Sequence, residues 1–301
     1  MLSMEEIGTA RMSRQEGRTL TEMNSANIFV VTTTYYPDTT DIRYKLAEEL
    51  CRLANRYRIH TFISDDSPQH ESAQPQPFGS VKGEYVHVFR QSEEHLGKGG
   101  GLRQSIQHAI DFIGEQRPDS PQAALEESAI VFTEPEKTDL MNHLGEVTKP
   151  LLAGQMDVIV PRRKDDSFRA TYPIEQYHSE SFGNLHFNGL AQKFDGFKGL
   201  SIDWLFGPFA SDYAYHIMPF SFKASLANQW LAYEGTSWDA QMIPYVRGVK
   251  QLDWKIGSVE VDFEHPGVMK AQEEGNLLWS KKRLNQLNLL FEVLGDRELT
   301  D

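Results

Sequence analysis

From Ile28 the chain runs Ile-Phe-Val-Val-Thr-Thr-Thr, an unbroken β-branched stretch suited to a strand covered on both faces. Asp41 then precedes a stripe of Leu46, Leu50, Leu53 and Ala54 at helical spacing, which predicts a helix opened by an acidic cap. A second strand, Ile59-His-Thr-Phe-Ile, runs into the polar stop Ser64-Asp65-Asp66-Ser67-Pro68. A linker rich in Gln, Pro and Ser follows over about residues 68–80, and Tyr85–Phe89 predicts a third strand. After Gly101, residues Leu102, Ile106, Ala109, Ile110 and Ile113 line one face of a helix. A polar loop containing proline leads to a strand at Ala129–Phe132, a helix near 138–153 and a strand at Asp157–Pro161.

Beyond residue 164 the pattern weakens. Residues 165–215 hold many aromatics, Gly and Asp without a strong period, and predict loops with short helices. Leu200–Tyr215, with Phe206-Gly207-Pro208-Phe209, reads as a turn feeding a helix or short strand. Phe222, Leu226 and Trp230 predict a helix over Phe220–Tyr233, and Thr236-Ser237-Trp238-Asp239 opens another that reaches residue 249. Lys255–Asp262 predicts a strand and Asn276–Leu294 an amphipathic helix. Strands alternating with helices mean βαβ units: an α/β fold with a mostly parallel sheet flanked by helices. No composition break demands a second domain, so residues 26–301 are expected to form one domain behind a flexible extension, residues 1–25. In such sheets ligands bind beyond the carboxyl ends of the strands.

The chain has 301 residues, enough for a substantial core, with 40% apolar and 24% charged residues. Its net charge of −13 repels nucleic acid and anionic lipid surfaces. An anionic small molecule can still be held locally by Lys98, Arg103, Arg162 or Arg163. Cys51 is the single cysteine, so no intrachain disulfide forms, and its place in an apolar helical stripe makes it a small buried hydrophobe. No apolar run approaches a membrane span, and residues 1–25 lack the apolar core of a secretory signal, so a cytoplasmic protein without an integral membrane segment is expected.

Three clusters fall at or near predicted strand ends. Asp65-Asp66 follows the second strand. Gly97-Lys98-Gly99-Gly100-Gly101 opens a helix, where backbone N–H groups and Lys98 suit a phosphate, with Arg103 a turn further on. Glu134-Pro135-Glu136 follows the fourth strand and offers the hard oxygens that magnesium-like ions take. His143 and His216 have no partner at zinc-ligand spacing, and Ser179 and Ser181 lack the context of a nucleophile elbow. In this order the clusters resemble the donor-binding half of GT-A glycosyltransferases, especially family-2 enzymes and the mannosylglycerate synthase type.

The resemblance covers residues 27–163 well and 200–270 loosely. Asp65-Asp66 is similar to the Asp-Asp signature that meets the nucleoside. Thr34 falls where that family opens with Pro-x-Tyr, although Thr33-Thr34-Tyr35 lacks the proline. Gly97-Lys98-Gly99 resembles the family's Gly-Lys-Gly, and Glu134-Pro135-Glu136 stands in the place of its Asp-x-Asp. Trp238-Asp239 resembles the region over the acceptor, with Asp239 as base or acceptor-holding acid; His265 resembles a late histidine that ligates metal. The resemblance implies a GT-A, Rossmann-like fold with a donor half at 27–163 and an acceptor half at 164–301. It implies transfer from a GDP- or UDP-linked sugar to a hydroxyl of a small-molecule or glycan acceptor. Thr34, Asp65, Asp66, Lys98, Gly99, Arg103 and Glu134 would then meet the nucleotide-sugar, with Glu136 and His265 on Mg2+ or Mn2+. A sugar-phosphate nucleotidyltransferase is the rival enzyme, but it calls for glycines directly after the first strand, where Thr32–Tyr36 has none. A degenerate, non-catalytic nucleotide-sugar binder is the other alternative. Tyr172, Tyr177, Phe182, Phe187, Trp204, Phe206 and Phe209 are expected mostly in the core, with some available to stack on a sugar.

Overall fold

The computed structural model describes residues 25–36, 40–67, 78, 81, 83–91, 97–206, 218–237, 239–273, 275 and 277–295. The expected N-terminal extension, most of the 68–80 linker, Trp238 and the Phe209 region lie outside the described residues. Seven strands form one sheet in the order β3-β2-β1-β4-β6-β5-β7. They are β1 Ile28–Thr34, β2 His60–Asp65, β3 Val86–Arg90, β4 Ala129–Phe132, β5 Val158–Arg163, β6 Phe220–Lys223 and β7 Ile256–Val261. Only β6 runs antiparallel to its neighbours, β4 and β5. This is the mostly parallel α/β sheet that the alternation predicted.

Helix α1 (Ile42–Tyr57) starts where the Asp41 carboxylate accepts the Arg43 N–H at 2.9 Å and ends at Arg58 in the left-handed region. Helix α2 (Gly97–Gln116) packs on β1 and β2. It begins five residues before the predicted start, so the glycine run is its first turn and not a preceding loop. A short helix α3 (Pro121–Glu126) occupies the predicted polar loop. A 3-10 turn at Thr138–His143 and helix α4 (Leu144–Leu152) replace the single helix predicted near 138–153.

The second half departs further from the sequence pattern. Residues 165–191 form helices α5 (Asp165–Thr171) and α6 (Ile174–Ala191), the latter 18 residues long where loops were expected. The helix predicted at Phe220–Tyr233 is instead strand β6, followed by a 3-10 turn and a four-residue helix α7, Asn228–Leu231. Helices α8 (Asp239–Gln251), α9 (Gly267–Glu273) and α10 (Leu277–Leu294) complete the chain. The aliphatic cores of β1, β4 and β5 are wholly buried, as their unbroken apolar runs require, and Cys51 is buried with them.

Register fixes the site. The chain winds outward through β1, β2 and β3, then crosses to β4 on the other flank of β1, so the strand order reverses between β1 and β4. Thr34 aligns with Asp65, and Asp65 with Arg90, putting three polar side chains in one row at the carboxyl edge. The β4 pairing with β1 stops at Phe132, freeing the chain to turn through Glu134-Pro135-Glu136 at that reversal.

Candidate active site

The row at the carboxyl edge is a hydrogen-bonded unit. Asp65 Oδ1 accepts from Thr34 Oγ1 and from Ser67 Oγ, each at 2.6 Å, and Asp65 Oδ2 lies 3.1 Å from Arg90 Nη1. Asp65 is fully buried, so its own oxygens are closed to solvent and it faces Thr34, Ser67 and Arg90. Asp66, half-buried beside it, donates its N–H to Thr34 O at 2.9 Å. Ser67 Oγ in turn accepts the Tyr36 N–H at 3.0 Å, which ties the β2 end to the residue leaving β1.

Tyr36 bridges to the acidic turn: its hydroxyl donates to Glu136 Oε1 at 3.3 Å. Burial, reinforced by the Glu136 charge, pushes the Tyr36 phenol well above its ordinary range, so it remains a donor. Burial pushes the Glu136 carboxyl up to about 7, and the neighbouring Glu134 carboxylate adds to the shift. Arg43 and Lys98 oppose it. Arg43 pairs with Asp41, and its guanidinium carbon lies 5.8 Å from the Tyr36 ring centre.

Glu134, 3% exposed, sits between two lysines: Lys98 Nζ is 3.9 Å from Oε1 and Lys137 Nζ 3.2 Å from Oε2. Lys137 is wholly buried and donates to Phe206 O at 2.8 Å; burial brings its ammonium down to about 8 despite Glu134. Burial also lowers Lys98, with Glu134 and Glu136 pulling the other way. Two carboxylates and three cations thus alternate around one point of the sheet edge, an arrangement able to hold a charged, multiply oxygenated group.

The glycine turn faces a different neighbour from the one its sequence suggests. Gly97 has φ +62, and a Cβ there would lie 2.7 Å from Thr236 O. Gly99 donates its N–H to Thr236 O at 3.0 Å, and a Cβ on it would fall 2.0 Å from Gly235 O. Arg103 Nη1 donates to Tyr233 O and Gly235 O at 2.6 and 2.7 Å. The expected phosphate contacts of Gly99 and Arg103 are therefore occupied by the 233–236 loop, which they strap to α2. That loop delivers Asp239, whose Oδ2 accepts from Tyr233 OH at 2.5 Å and whose Oδ1 accepts the Ser237 N–H at 3.1 Å.

Thr34, Asp65, Asp66, Lys98, Glu134 and Glu136 are brought together; Gly99, Arg103 and Asp239 share the adjoining loop. His265 is placed apart from them, buried, with its ring stacked on Tyr172 at 4.4 Å between centroids. It connects to the acidic turn through the Arg163 guanidinium, 4.7 Å from both the Tyr172 and Phe206 rings. Arg162 and Arg163, expected as local cations for a ligand, pair within the protein: Arg162 with Glu260 at 2.6 Å, Arg163 with Glu180 and Asp203 at 2.7 Å each. Among the described residues no group of three or more His, Cys, Asp or Glu side chains is arranged to hold a metal ion. Of the aromatics, Tyr172, Phe187, Trp204 and Phe206 are core residues, and Phe182 is 73% exposed. Tyr36, Arg43 and Lys137 were not singled out from sequence; Lys137, directly after the Glu-Pro-Glu turn, had the clearest signal.

The sequence matches no protein-family model and no curated protein. The fold matches the glucosyl-3-phosphoglycerate synthase of Mycobacterium tuberculosis in complex with phosphoglyceric acid. That alignment has TM-score 0.50 and 12% identity, and covers 91% of this chain and 81% of that one. A mycobacterial protein of solved structure matches with TM-score 0.51 at 11% identity, over 95% of this chain and 79% of that one. The mannosyl-3-phosphoglycerate synthase of Rubrobacter xylanophilus aligns less well, at TM-score 0.45 and 11% identity, over 97% and 80% of the two chains. The likeness is one of fold, and the fold is GT-A-like. No helix among the described residues is long and apolar enough to cross a membrane.

Proposed function

We propose that this protein is a glycosyltransferase that moves a sugar from a UDP- or GDP-linked donor to a hydroxyl of a small-molecule or glycan acceptor. The observation that carries the reading is the meeting of Lys98, Arg43, Tyr36, Glu134 and Glu136 at the strand-order reversal between β1 and β4. Lys98 meets the diphosphate as a point charge, while Lys137 neutralises Glu134 and keeps Lys98 from being fully consumed by it. The Asp65–Thr34–Ser67 unit fixes the edge against which the nucleoside lies, with Asp66 beside it. Glu136 and its neighbour Glu134 are hard carboxylate donors of the kind Mg2+ or Mn2+ takes, while His265, stacked on Tyr172 beyond Arg163, lies apart from them. Such an ion, when bound, supplies positive charge to the leaving diphosphate. Asp239, held by Tyr233 and the Ser237 N–H, orients or deprotonates the acceptor hydroxyl.

Calorimetry with UDP and GDP, with and without Mn2+, joined to an assay of sugar release, tests this. Lys98→Ala is expected to weaken the preferred nucleotide by ~1.5–3 kcal/mol through loss of a charge-assisted contact. Asp239→Asn is expected to lower turnover far more than donor affinity. Unchanged nucleotide affinity in Lys98→Ala would sink the donor site. Full turnover in Asp239→Asn would make that residue a loop anchor alone.

A further inference from the structure

Helix α6 is turned inside out. Its buried positions include Gln176, Glu180 and Gly183, while Ile174, Phe182 and Leu185 are exposed. Helix α10 lies beside it and runs parallel to it. Glu180 pairs with Arg283, a Cβ on Gly183 would lie 3.6 Å from Leu287, and the Phe187 and Phe291 rings are 5.1 Å apart. These contacts advance by one turn at a time along both helices, so the outer sides of the two helices form one face. On α10 that face carries Leu284 and Phe291, and Phe291 also meets the exposed His186 ring at 5.2 Å between centroids.

Eight large apolar side chains are exposed among the described residues, and five of them, Ile174, Phe182, Leu185, Leu284 and Phe291, stand on these two helices. They are between 49% and 74% exposed. At about 150–200 Å2 for a large apolar side chain, they leave roughly 500 Å2 in water. A homodimer contact of ordinary size takes ~800 Å2 from each partner, about 65% of it apolar, and so draws on roughly 500 Å2 of this kind. The face supplies that amount.

Charge selects the occupant. A contact on a two-fold axis sets a patch against its own copy, where like charges near the centre would repel. The residues that accompany the five on this outer line are His178, Ser181 and Asn288, and none carries a carboxylate, an ammonium or a guanidinium. Of the two α6 carboxylates, Glu180 is buried and Glu175 accepts the Gly275 N–H at 3.0 Å. On a chain of net −13, a two-helix face with a neutral centre is where a second copy can approach.

We propose that the outer face of α6 and α10 is the contact surface of a symmetric homodimer, which brings four helices together with Phe182 and Leu185 near the centre. The contact is independent of the donor site and of the reading given to it.

Size-exclusion chromatography with light scattering, on the full chain over a concentration series, tests this. The wild type is expected at twice the chain mass of 34.4 kDa. Leu185→Glu and Leu185→Lys are each expected to self-associate about a hundredfold more weakly, because like charges then face each other across the axis. An equimolar mixture of the two variants is expected to return to the dimer, since opposite charges now meet. Leu152→Glu, at an exposed position on α4 outside this face, is expected to leave the dimer intact. Far-UV circular dichroism matching the wild type verifies the fold of each variant. A wild type that stays monomeric at tens of micromolar overturns the proposal, and so does a dimer that survives both Leu185 variants. Variants that stay apart when mixed, or a Leu152→Glu that dissociates the dimer as fully, would place the contact elsewhere and overturn it equally.

Discussion

Arg163 carries its charge where no water reaches. Its guanidinium lies 3.6 Å over the Phe168 ring and pairs with Glu180 and Asp203. Glu180 also pairs with Arg283 and accepts from Gln176 Nε2 at 2.9 Å, while Asn184 donates to Asp203 at 2.6 Å. The two carboxylates hold Arg163 well above its ordinary range against the cost of burial. Removing one member of such a cluster leaves an uncompensated buried charge. Glu180→Ala is therefore expected to cost about 3–5 kcal/mol, measurable by urea unfolding; a loss below about 1 kcal/mol, the range of surface ion pairs, would show that water screens the cluster. The same residues explain what the sequence hid. Asp65, Lys98, Glu134 and Glu136 were legible because each stands at or near the end of an obvious strand or the start of a helix. Lys137, Tyr36 and Arg43 belong with them through contacts across β1, β4 and α1, and Lys137 looks like an ordinary surface lysine until Phe206 O and Glu134 close around it.

Helix α6 was missed for a reason in the same cluster: its buried positions are Gln176, Glu180, Gly183, Phe187 and Ala191, while Phe182 and Leu185 are exposed. A polar buried face and an apolar outer one erase the hydrophobic period that reveals a helix. Strand β6 was misread because Phe222, Leu226 and Trp230 happen to fall at helical spacing. Pairing decides otherwise, since Phe220 and Phe222 fill the gap between β4 and β5, with Phe220 stacked on Phe132 at 5.3 Å. The early strands gave no such trouble, because continuous apolar runs with polar stops leave little choice. Among the glycines, a methyl on Gly99 would meet the backbone oxygen of Gly235, which has no side-chain freedom to withdraw; one on Gly189, inside α6, would meet nothing within 4 Å. Gly99→Ala is expected to destabilise by about 1–3 kcal/mol and to disturb the 233–236 loop. Gly189→Ala is expected to stabilise by roughly 0.5–1 kcal/mol through helix propensity. A denaturant midpoint that holds or rises in Gly99→Ala would refute the close packing of α2 on that loop.

On the scale of the whole molecule, two groups at different places on the sheet set opposing pH dependences. At the β2–β3 edge, His60 Nδ1 and His87 Nε2 lie 3.0 Å apart among Phe29, Phe62 and Phe112. Burial lowers both, and the neighbouring His60 helps bring His87 down to about 4. A histidine with a depressed folded pKa favours folding in its neutral form. Its contribution is whole above the unfolded value near 6.5 and is lost as pH falls toward 4. Glu136 acts in reverse: its folded pKa of about 7 exceeds the ordinary 4.5, so the folded state holds the extra proton between these values. Its contribution is therefore present below pH 4.5 and lost as pH rises through 7. Between about pH 4.5 and 6.5 the two partly cancel in the wild type, and single substitutions separate them. Relative to wild type, His87→Phe, which keeps a ring against Phe62, is expected to gain stability on going from pH 7 to pH 5. Glu136→Gln is expected to lose its relative advantage over the same change, because it stabilises most where wild-type Glu136 is charged. Urea unfolding of the three proteins at both pH values measures the differences, and groups common to all three drop out of the comparison. If Glu136→Gln confers no more stability at pH 7 than at pH 5, the carboxylate is charged at no cost in the folded state, and the buried acidic turn is not the strained, cation-seeking group that its surroundings imply.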